Sequence, residues 1–123
     1  MARQNSEVVI YHNPACATSR KVLGMIRDAG VEPRVVDYLK TPPDREQLLD
    51  LLRRMGITPR ELLRRRGTPY DALGLADPAK PDAELIDAIL ANPILMERPV
   101  VVGPRGARLC RPVERVHEVL PAR

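Results

Sequence analysis

Cys16 is the residue of this sequence best placed for covalent chemistry. It follows an apolar, β-branched run at Glu7–His12 and precedes a stretch with helical spacing, so it stands where a strand gives way to a helix. The partial positive charge at a helix N-terminus stabilises a thiolate, which is the nucleophilic form of cysteine. A buried structural cysteine is the alternative, but this position favours a reactive thiol.

The residues after Cys16 bear on how such a thiol would be regenerated. The motif reads Cys-Ala-Thr-Ser, so Ser19 occupies the position where a dithiol oxidoreductase has its second cysteine. A local disulfide is therefore excluded, and three routes stay open: Cys16 acts alone, pairs with the distant Cys110, or uses an external thiol such as glutathione. We interpret Cys110 itself as a small, partly buried core residue at the end of a strand.

Three polar side chains near Cys16 could tune its reactivity. His12, at the end of the strand, could lower the thiol pKa through charge or through a hydrogen bond, and an ordinary turn histidine is an equally good interpretation. Thr18 and Ser19 carry hydroxyls that could cap the following helix, bond to the thiolate, or do both.

Arginine supplies most of the 20 cationic residues, and two arginines flank predicted strands in the second half of the chain. Arg98 directly precedes one strand, and Arg111 directly follows the next. If these strands pair as a hairpin beside the first strand, both guanidinium groups converge near Cys16, an arrangement typical of a site for a tetrahedral oxyanion. The run Arg64–Arg66 is expected to end a helix, where most of it forms a solvated cap.

The elements that must position these residues follow the order strand, helix, strand, several helices, strand, strand, helix. Apolar and β-branched runs predict strands at 7–12, 35–38, 99–103 and 107–110. Capping boxes, stop glycines and helical spacing predict helices over 19–29, 45–55, 59–66, 69–75, 82–92 and 113–120. A βαβ unit followed by a ββα unit predicts an α/β, thioredoxin-like fold with a small mixed sheet and several helices inserted between its halves.

Length and composition limit the functional classes. With 123 residues, 44% hydrophobic and 29% charged, the chain is expected to fold as a single domain over residues 1–123. Its apolar runs are too short to span a bilayer and no secretory signal is recognisable, so we expect a cytoplasmic protein without a membrane partner. The absence of Phe and Trp argues against nucleic-acid modules that stack bases, and two scattered Cys and two His predict no metal site.

Three stretches in both halves of the chain resemble the glutaredoxin-dependent arsenate reductases, the ArsC family of the thioredoxin-like superfamily. They read YHNPACATSR at 11–20, NPILMERPVVV from Asn92, and LCRP at 109–112. The similarity runs from about Val8 through the closing helix, which is nearly the whole chain. Where the usual motif has Cys-Gly-Thr-Ser, this chain has Ala17, and alanine restricts the loop backbone more than glycine does.

The resemblance implies a role for each candidate residue. Cys16 is implied to be the nucleophile that attacks arsenate, with His12 and Ser19 beside it. The three oxyanion-binding arginines of the family correspond to Arg64, Arg98 and Arg111. The remaining residues of the active-site loop correspond to Asn13, Thr18, Arg20 and Pro99, the last of them a cis-proline. The resemblance also implies glutathione as co-substrate, glutaredoxin as the protein that helps to release arsenite, and no bound cofactor.

Two other functions stay open from the sequence. A Spx-type regulator has a similar fold and binds RNA polymerase instead of turning over a substrate. Such proteins commonly carry Cys-x-x-Cys and lack the complete arginine set, which counts against this alternative. An arsenate-inactive relative that reduces glutathione-linked thiols would use the same cysteine loop. Direct nucleic-acid binding is least favoured, because the modest net charge of +4 lacks aromatic support.

Overall fold

The computed structural model describes residues 7–121, which divide into two compact units. The first unit comprises the chain up to Thr41 together with the chain from Arg98 onward, and the second is Pro42–Glu97. No helix within residues 7–121 is long and apolar enough to cross a membrane. The expectation of a single domain over residues 1–123 stays a prediction.

The first unit contains a four-stranded mixed sheet. Its strands are β1 (Val9–His12), β2 (Arg34–Asp37), β3 (Val100–Gly103) and β4 (Gly106–Leu109), in the spatial order β2-β1-β3-β4. Helix α1 (Ala17–Asp28) connects β1 to its parallel neighbour β2, whereas β3 pairs antiparallel with both β1 and β4. This is the predicted βαβ unit joined to a ββ hairpin, and it confirms the α/β, thioredoxin-like fold class.

The core of this unit lies between the sheet and the elements packed on it. Ile10 of β1 and Val101 of β3 lie on the face of the sheet that α1 and the C-terminal segment cover. The buried cluster consists of Val8, Ile10, Val22, Ile26, Val101, Cys110, Val116, Val119 and Leu120. Gly103 allows the C-terminal segment to approach closely, since a Cβ atom there would lie 2.1 Å from the Val119 carbonyl oxygen.

The closing helix is shorter than predicted. A helix over 113–120 was expected, but the structure has a 3₁₀ helix at Val113–Glu118 that follows Pro112. Only Val116 of this helix is buried, and Val119 and Leu120 reach the core from beyond its end. The 3₁₀ helix is narrower than an α-helix and is used in short segments between other elements, so this one places few side chains in the core.

The second unit is helical. Its helices are α2 (Arg45–Met55), α3 (Pro59–Leu62) and α4 (Asp82–Ala91), followed by a 3₁₀ helix at Pro93–Leu95. Both predicted capping boxes are present: Asp44 with Gln47 begins α2, and Thr58 with Glu61 begins α3. In each, the N-cap side chain accepts from a backbone N–H while the N3 side chain accepts from the N-cap backbone, which satisfies two donors at the helix start. Gly56 ends α2 in the left-handed conformation, with φ +69°.

Two predictions for the second unit were wrong. Helix α3 was expected to continue to Gly67, but it ends at Leu62, because Leu63 turns into an extended conformation and forms a bridge with Met96. The segment 69–75 was expected to be a helix and is instead a series of turns. The guanidinium of Arg60 donates to the Leu75 carbonyl at the end of this segment, at 2.8 Å, and to the Asp77 carbonyl just beyond it, at 2.9 Å, and so stabilises the turns.

Candidate active site

Cys16 is the N-cap residue of α1 and is partly exposed. The loop that precedes it is held by Asn13, which is buried and bonds in two directions. Its carbonyl oxygen accepts from the Cys16 N–H at 3.0 Å, and its side-chain Oδ1 accepts from the Ala15 N–H at 2.9 Å. Such a turn closed by an Asn side chain mimics a backbone turn. These hydrogen bonds hold the backbone of Cys16 in place at the helix N-terminus.

The surroundings of Cys16 favour its thiolate. Burial by itself raises the thiol pKa, but the N–H groups of Ser19 and Thr18 and the guanidinium of Arg98 lower it more, so the pKa is below its ordinary value. The two N–H groups belong to the first turn of α1, where backbone donors have no partner within the helix. The partly exposed thiol thus has the electropositive environment that characterises reactive cysteines.

The structure brings Arg98 and Arg111 together beside Cys16. The Nη2 atom of Arg111 lies 3.7 Å from the Cys16 sulfur, and its Nε atom donates to the Arg98 carbonyl at 2.7 Å. The hairpin explains this convergence, since Val100 pairs with Leu109 and the two arginines lie just beyond the paired ends. The peptide bond between Arg98 and Pro99 is cis, as the family resemblance implies. Two guanidinium groups beside a thiolate can bind a tetrahedral oxyanion.

The side chain of His12 contacts the hydroxyl of Ser19. Its Nδ1 atom lies 2.6 Å from the Ser19 hydroxyl oxygen, which also accepts from the Asn13 N–H at 3.1 Å. Burial lowers the pKa of His12 below its ordinary value, although Asp37 acts in the opposite direction. The groups that lower the Cys16 pKa are the N–H groups of Ser19 and Thr18 and the guanidinium of Arg98, so an effect of His12 on the thiol stays a prediction. Ser19, which is fully buried, ties this histidine to the cysteine loop.

Arg64 belongs to the second unit, where it is the partly buried member of the Arg64–Arg66 run. Its Nη1 atom donates to Glu97 at 2.8 Å, with both side chains about one-fifth exposed, and its backbone N–H donates to the Leu95 carbonyl at 2.7 Å. Because α3 ends at Leu62, the run follows the helix instead of capping it, which corrects the expectation of a helix-terminal cap. The role of Arg64 toward an oxyanion stays a prediction.

The remaining loop candidates lie at the margin of the site. Arg20 is exposed and donates from its Nη1 atom to the Pro14 carbonyl at 2.8 Å, so it braces the loop. Thr18 contributes its backbone N–H to the stabilisation of the thiolate. Within residues 7–121 no group of three or more His, Cys, Asp or Glu side chains is arranged to hold a metal ion.

Cys110 is chemically unlike Cys16. Its side chain is fully buried in the apolar core, and its sulfur lies 3.7 Å from the Arg108 carbonyl oxygen. Burial raises the pKa of this thiol to about 12. Burial and the raised pKa both disfavour the thiolate, which is the reactive form of cysteine.

Sequence reasoning missed two side chains that contact the arginines. Tyr38 had been assigned to a strand, yet it follows β2, is fully buried, and hydrogen-bonds to Asn13 and Arg98. Glu97 had no assigned role, although it pairs with Arg64. A signal existed in one case only: a buried tyrosine usually places its hydroxyl against a polar partner, and Tyr38 belonged to a predicted strand.

A family model, curated relatives and a solved structure all match most of this chain. Residues 11–119 match the model of the ArsC family. The chain is 56% identical over 114 residues to the arsenate reductase of Rhizobium meliloti (strain 1021), covering 93% of this chain and 81% of that protein. It is 54% identical over 116 residues to the arsenate reductase of Escherichia coli (strain K12), covering 94% and 82%. The structure of arsenate reductase from Vibrio cholerae superposes with a TM-score of 0.88 at 40% identity, covering 94% of this chain and 98% of that one.

Proposed function

The chain belongs to the ArsC family, and from this premise we propose that it is an arsenate reductase in which Cys16 is the nucleophile. One observation carries the proposal: the guanidinium of Arg111 lies 3.7 Å from the sulfur of Cys16, at the start of a helix whose N–H groups lower the thiol pKa. A nucleophile and a cationic receptor for its target therefore share one site. A tetrahedral oxyanion whose central atom reacts with thiols, such as arsenate, fits both.

In the first step, arsenate binds to Arg98 and Arg111, and the family resemblance implies Arg64 as a third oxyanion-binding arginine. Charge-assisted, bidentate contacts from guanidinium groups orient the oxyanion and offset its negative charge. The thiolate of Cys16 attacks arsenic, an arsenic–sulfur bond forms, and one arsenic–oxygen bond breaks. The leaving oxygen departs as water once it has gained protons. Arginine charge that remains in place during the attack also stabilises the transition state.

The two electrons that convert arsenic(V) to arsenic(III) come from external thiols. The glutathione thiol forms a bond to arsenic in the Cys16 adduct and displaces a second oxygen, which leaves as water, and a glutaredoxin thiolate then attacks the glutathione sulfur. A mixed disulfide forms on glutaredoxin, the sulfur–arsenic bond to glutathione breaks, and its electron pair stays on arsenic. Hydrolysis of the remaining bond to Cys16 releases arsenite and restores the thiol. Ser19 in place of a second loop cysteine and the buried state of Cys110 both support an external reductant.

The proposal places this reaction in the cytoplasm. Both cysteines carry free thiols, and the reaction needs Cys16 reduced at the start of each turnover. Thiols are kept reduced in that compartment by glutathione and thioredoxin systems.

The proposal is tested by arsenite formation with one component omitted at a time. Purified, reduced protein is incubated with arsenate, glutathione and a glutaredoxin, and arsenite is measured directly. We expect arsenite from the complete mixture and almost none when either thiol component is absent. Turnover that continues without glutathione would contradict the proposed reductant. Folded protein that forms no arsenite at all would contradict the function and favour a polymerase-binding or thiol-transfer role.

A further inference from the structure

Tyr38 occupies a position between the cysteine loop and Arg98. The parallel register of β1 and β2 pairs His12 with Asp37. The residues that directly follow these two strands are Asn13 and Tyr38. The tyrosine side chain is fully buried, and its phenol hydrogen-bonds to the side chains of both Asn13 and Arg98. One oxygen thus connects the residue that holds the loop to an arginine of the candidate site.

The direction of these bonds follows from the groups involved. A guanidinium can only donate, so the phenol oxygen accepts from Arg98. The Oδ1 atom of Asn13 accepts from the Ala15 N–H at 2.9 Å, and the amide NH₂ of the same side chain is a donor that can bond to the phenol oxygen. Tyr38 therefore accepts from Arg98 and can accept from Asn13 as well.

We propose that Tyr38 is a positioning residue that fixes the guanidinium of Arg98 toward Cys16 without bringing a negative charge into the site. The proposal rests on the proposed function and deepens it. A phenol that stays protonated can accept a hydrogen bond from an arginine while the arginine keeps its full electrostatic effect on a thiolate or an oxyanion. Burial raises the pKa of Tyr38 above its ordinary value, which keeps the phenol neutral around pH 7.

The pair of Arg64 and Glu97 in the second unit shows how a carboxylate partner, in place of a phenol, would affect an arginine. There, Arg64 is held by Glu97, whose carboxylate lies 2.8 Å away and offsets the charge of the guanidinium. A carboxylate next to Arg98 would likewise reduce the positive charge felt by Cys16. A buried neutral phenol fixes the orientation and retains that charge.

The test compares Tyr38→Phe with wild type in two assays. The first is the alkylation rate of Cys16 by iodoacetamide as a function of pH, which reports the thiolate and involves no arsenate. The second is the steady-state dependence on arsenate. We expect the alkylation profile of Tyr38→Phe to move to higher pH by about half a unit, because Arg98 stabilises the thiolate less when its orientation is not fixed. We also expect KM for arsenate to rise roughly tenfold while kcat changes less than about twofold.

A matched control is Tyr70→Phe, which removes a phenol oxygen from the half-buried tyrosine of the second unit that lies under Arg65. We expect its alkylation profile and KM to equal those of wild type. A second comparison places Tyr38→Phe in an Arg98→Lys background. If Tyr38 acts through Arg98, the combined variant should differ little from Arg98→Lys alone, because the two changes remove one interaction.

Three results would overturn the proposal. The first is an alkylation profile of folded Tyr38→Phe that equals that of wild type. The second, provided that wild type reduces arsenate, is a KM of Tyr38→Phe equal to that of wild type, and the third is effects of Tyr38→Phe that add fully to those of Arg98→Lys. If Tyr38→Phe does not fold, Tyr38→His keeps a ring and a nitrogen acceptor, and a smaller shift of the same sign is expected. An unshifted profile in Tyr38→His would equally overturn it. A wild type that does not reduce arsenate contradicts the proposed function alone, since the alkylation assay still decides the role of Tyr38.

Discussion

Cys110→Ala should leave arsenate reduction intact while lowering the stability of the fold. The side chain is fully buried in the core of the first unit, so the change removes one sulfur atom from packed surroundings. The lost transfer free energy is about 0.8 kcal/mol, by analogy with a buried methylene. The cavity that remains adds a comparable amount, so the free energy of unfolding should fall by roughly 1–2 kcal/mol. For a chain of this size that corresponds to a Tm lowered by roughly 3–10 °C.

The assay pairs a urea titration with turnover below the lowered Tm. Val116→Ala is the matched control, because Val116 is fully buried in the same core and has no thiol. We expect both variants to lose stability and both to retain kcat and KM near wild type. Loss of turnover in folded Cys110→Ala but not in Val116→Ala would show that the buried thiol supplies an electron. That result would refute the argument from burial and raised pKa.

The remaining predictions concern the arginines, His12 and a helix cap. Arg98→Lys and Arg111→Lys should each lower kcat/KM for arsenate by roughly 10- to 100-fold, since lysine keeps the charge but not the planar, bidentate guanidinium. Arg108→Lys should not lower it, because Arg108 pairs with Glu118 in a partly exposed salt bridge, and equal losses in all three variants would count against an oxyanion site. Burial lowers the pKa of His12, so the folded protein binds fewer protons there than the unfolded chain, and the free energy of unfolding should fall as pH drops below the ordinary value of 6.5. His12→Gln should weaken that dependence in urea titrations at pH 5 to 7, and an identical slope would contradict it. Asp44→Ala should cost about 1 kcal/mol by thermal unfolding, because α2 loses its side-chain cap, and turnover should not change.

Local sequence signals predicted helix ends correctly where residues near those ends satisfy the free backbone N–H and C=O groups of the helix. The box of Asp44 and Gln47 and the left-handed Gly56 lie within a few residues of the helix ends that they determine, so α2 was predicted with its correct bounds. Helix α3 shows the limit of such signals. Thr58 predicted its start, but its end depends on the bridge between Leu63 and Met96, more than 30 residues apart in the chain.

The candidate site divides in the same way. Cys16 and Ser19 were recognised from one short motif, and the approach of Arg98 to Arg111 followed from a hairpin that joins them. The contacts of Tyr38 could not be predicted, because its partners Asn13 and Arg98 come from two distant segments and meet only when β1, β2 and β3 align. Long-range side-chain contacts carry no periodicity in the sequence, whereas caps and strands do.

The central claim is that the Cys16 sulfur reacts with arsenate, and arsenite formation by wild type and by Cys16→Ser tests it most directly. Both proteins are assayed with glutathione, glutaredoxin, glutathione reductase and NADPH, and circular dichroism confirms that both are folded. Arsenate-dependent NADPH oxidation and arsenite release in wild type, with both abolished in Cys16→Ser, are predicted. Arsenite formed by Cys16→Ser at the wild-type rate would contradict the account.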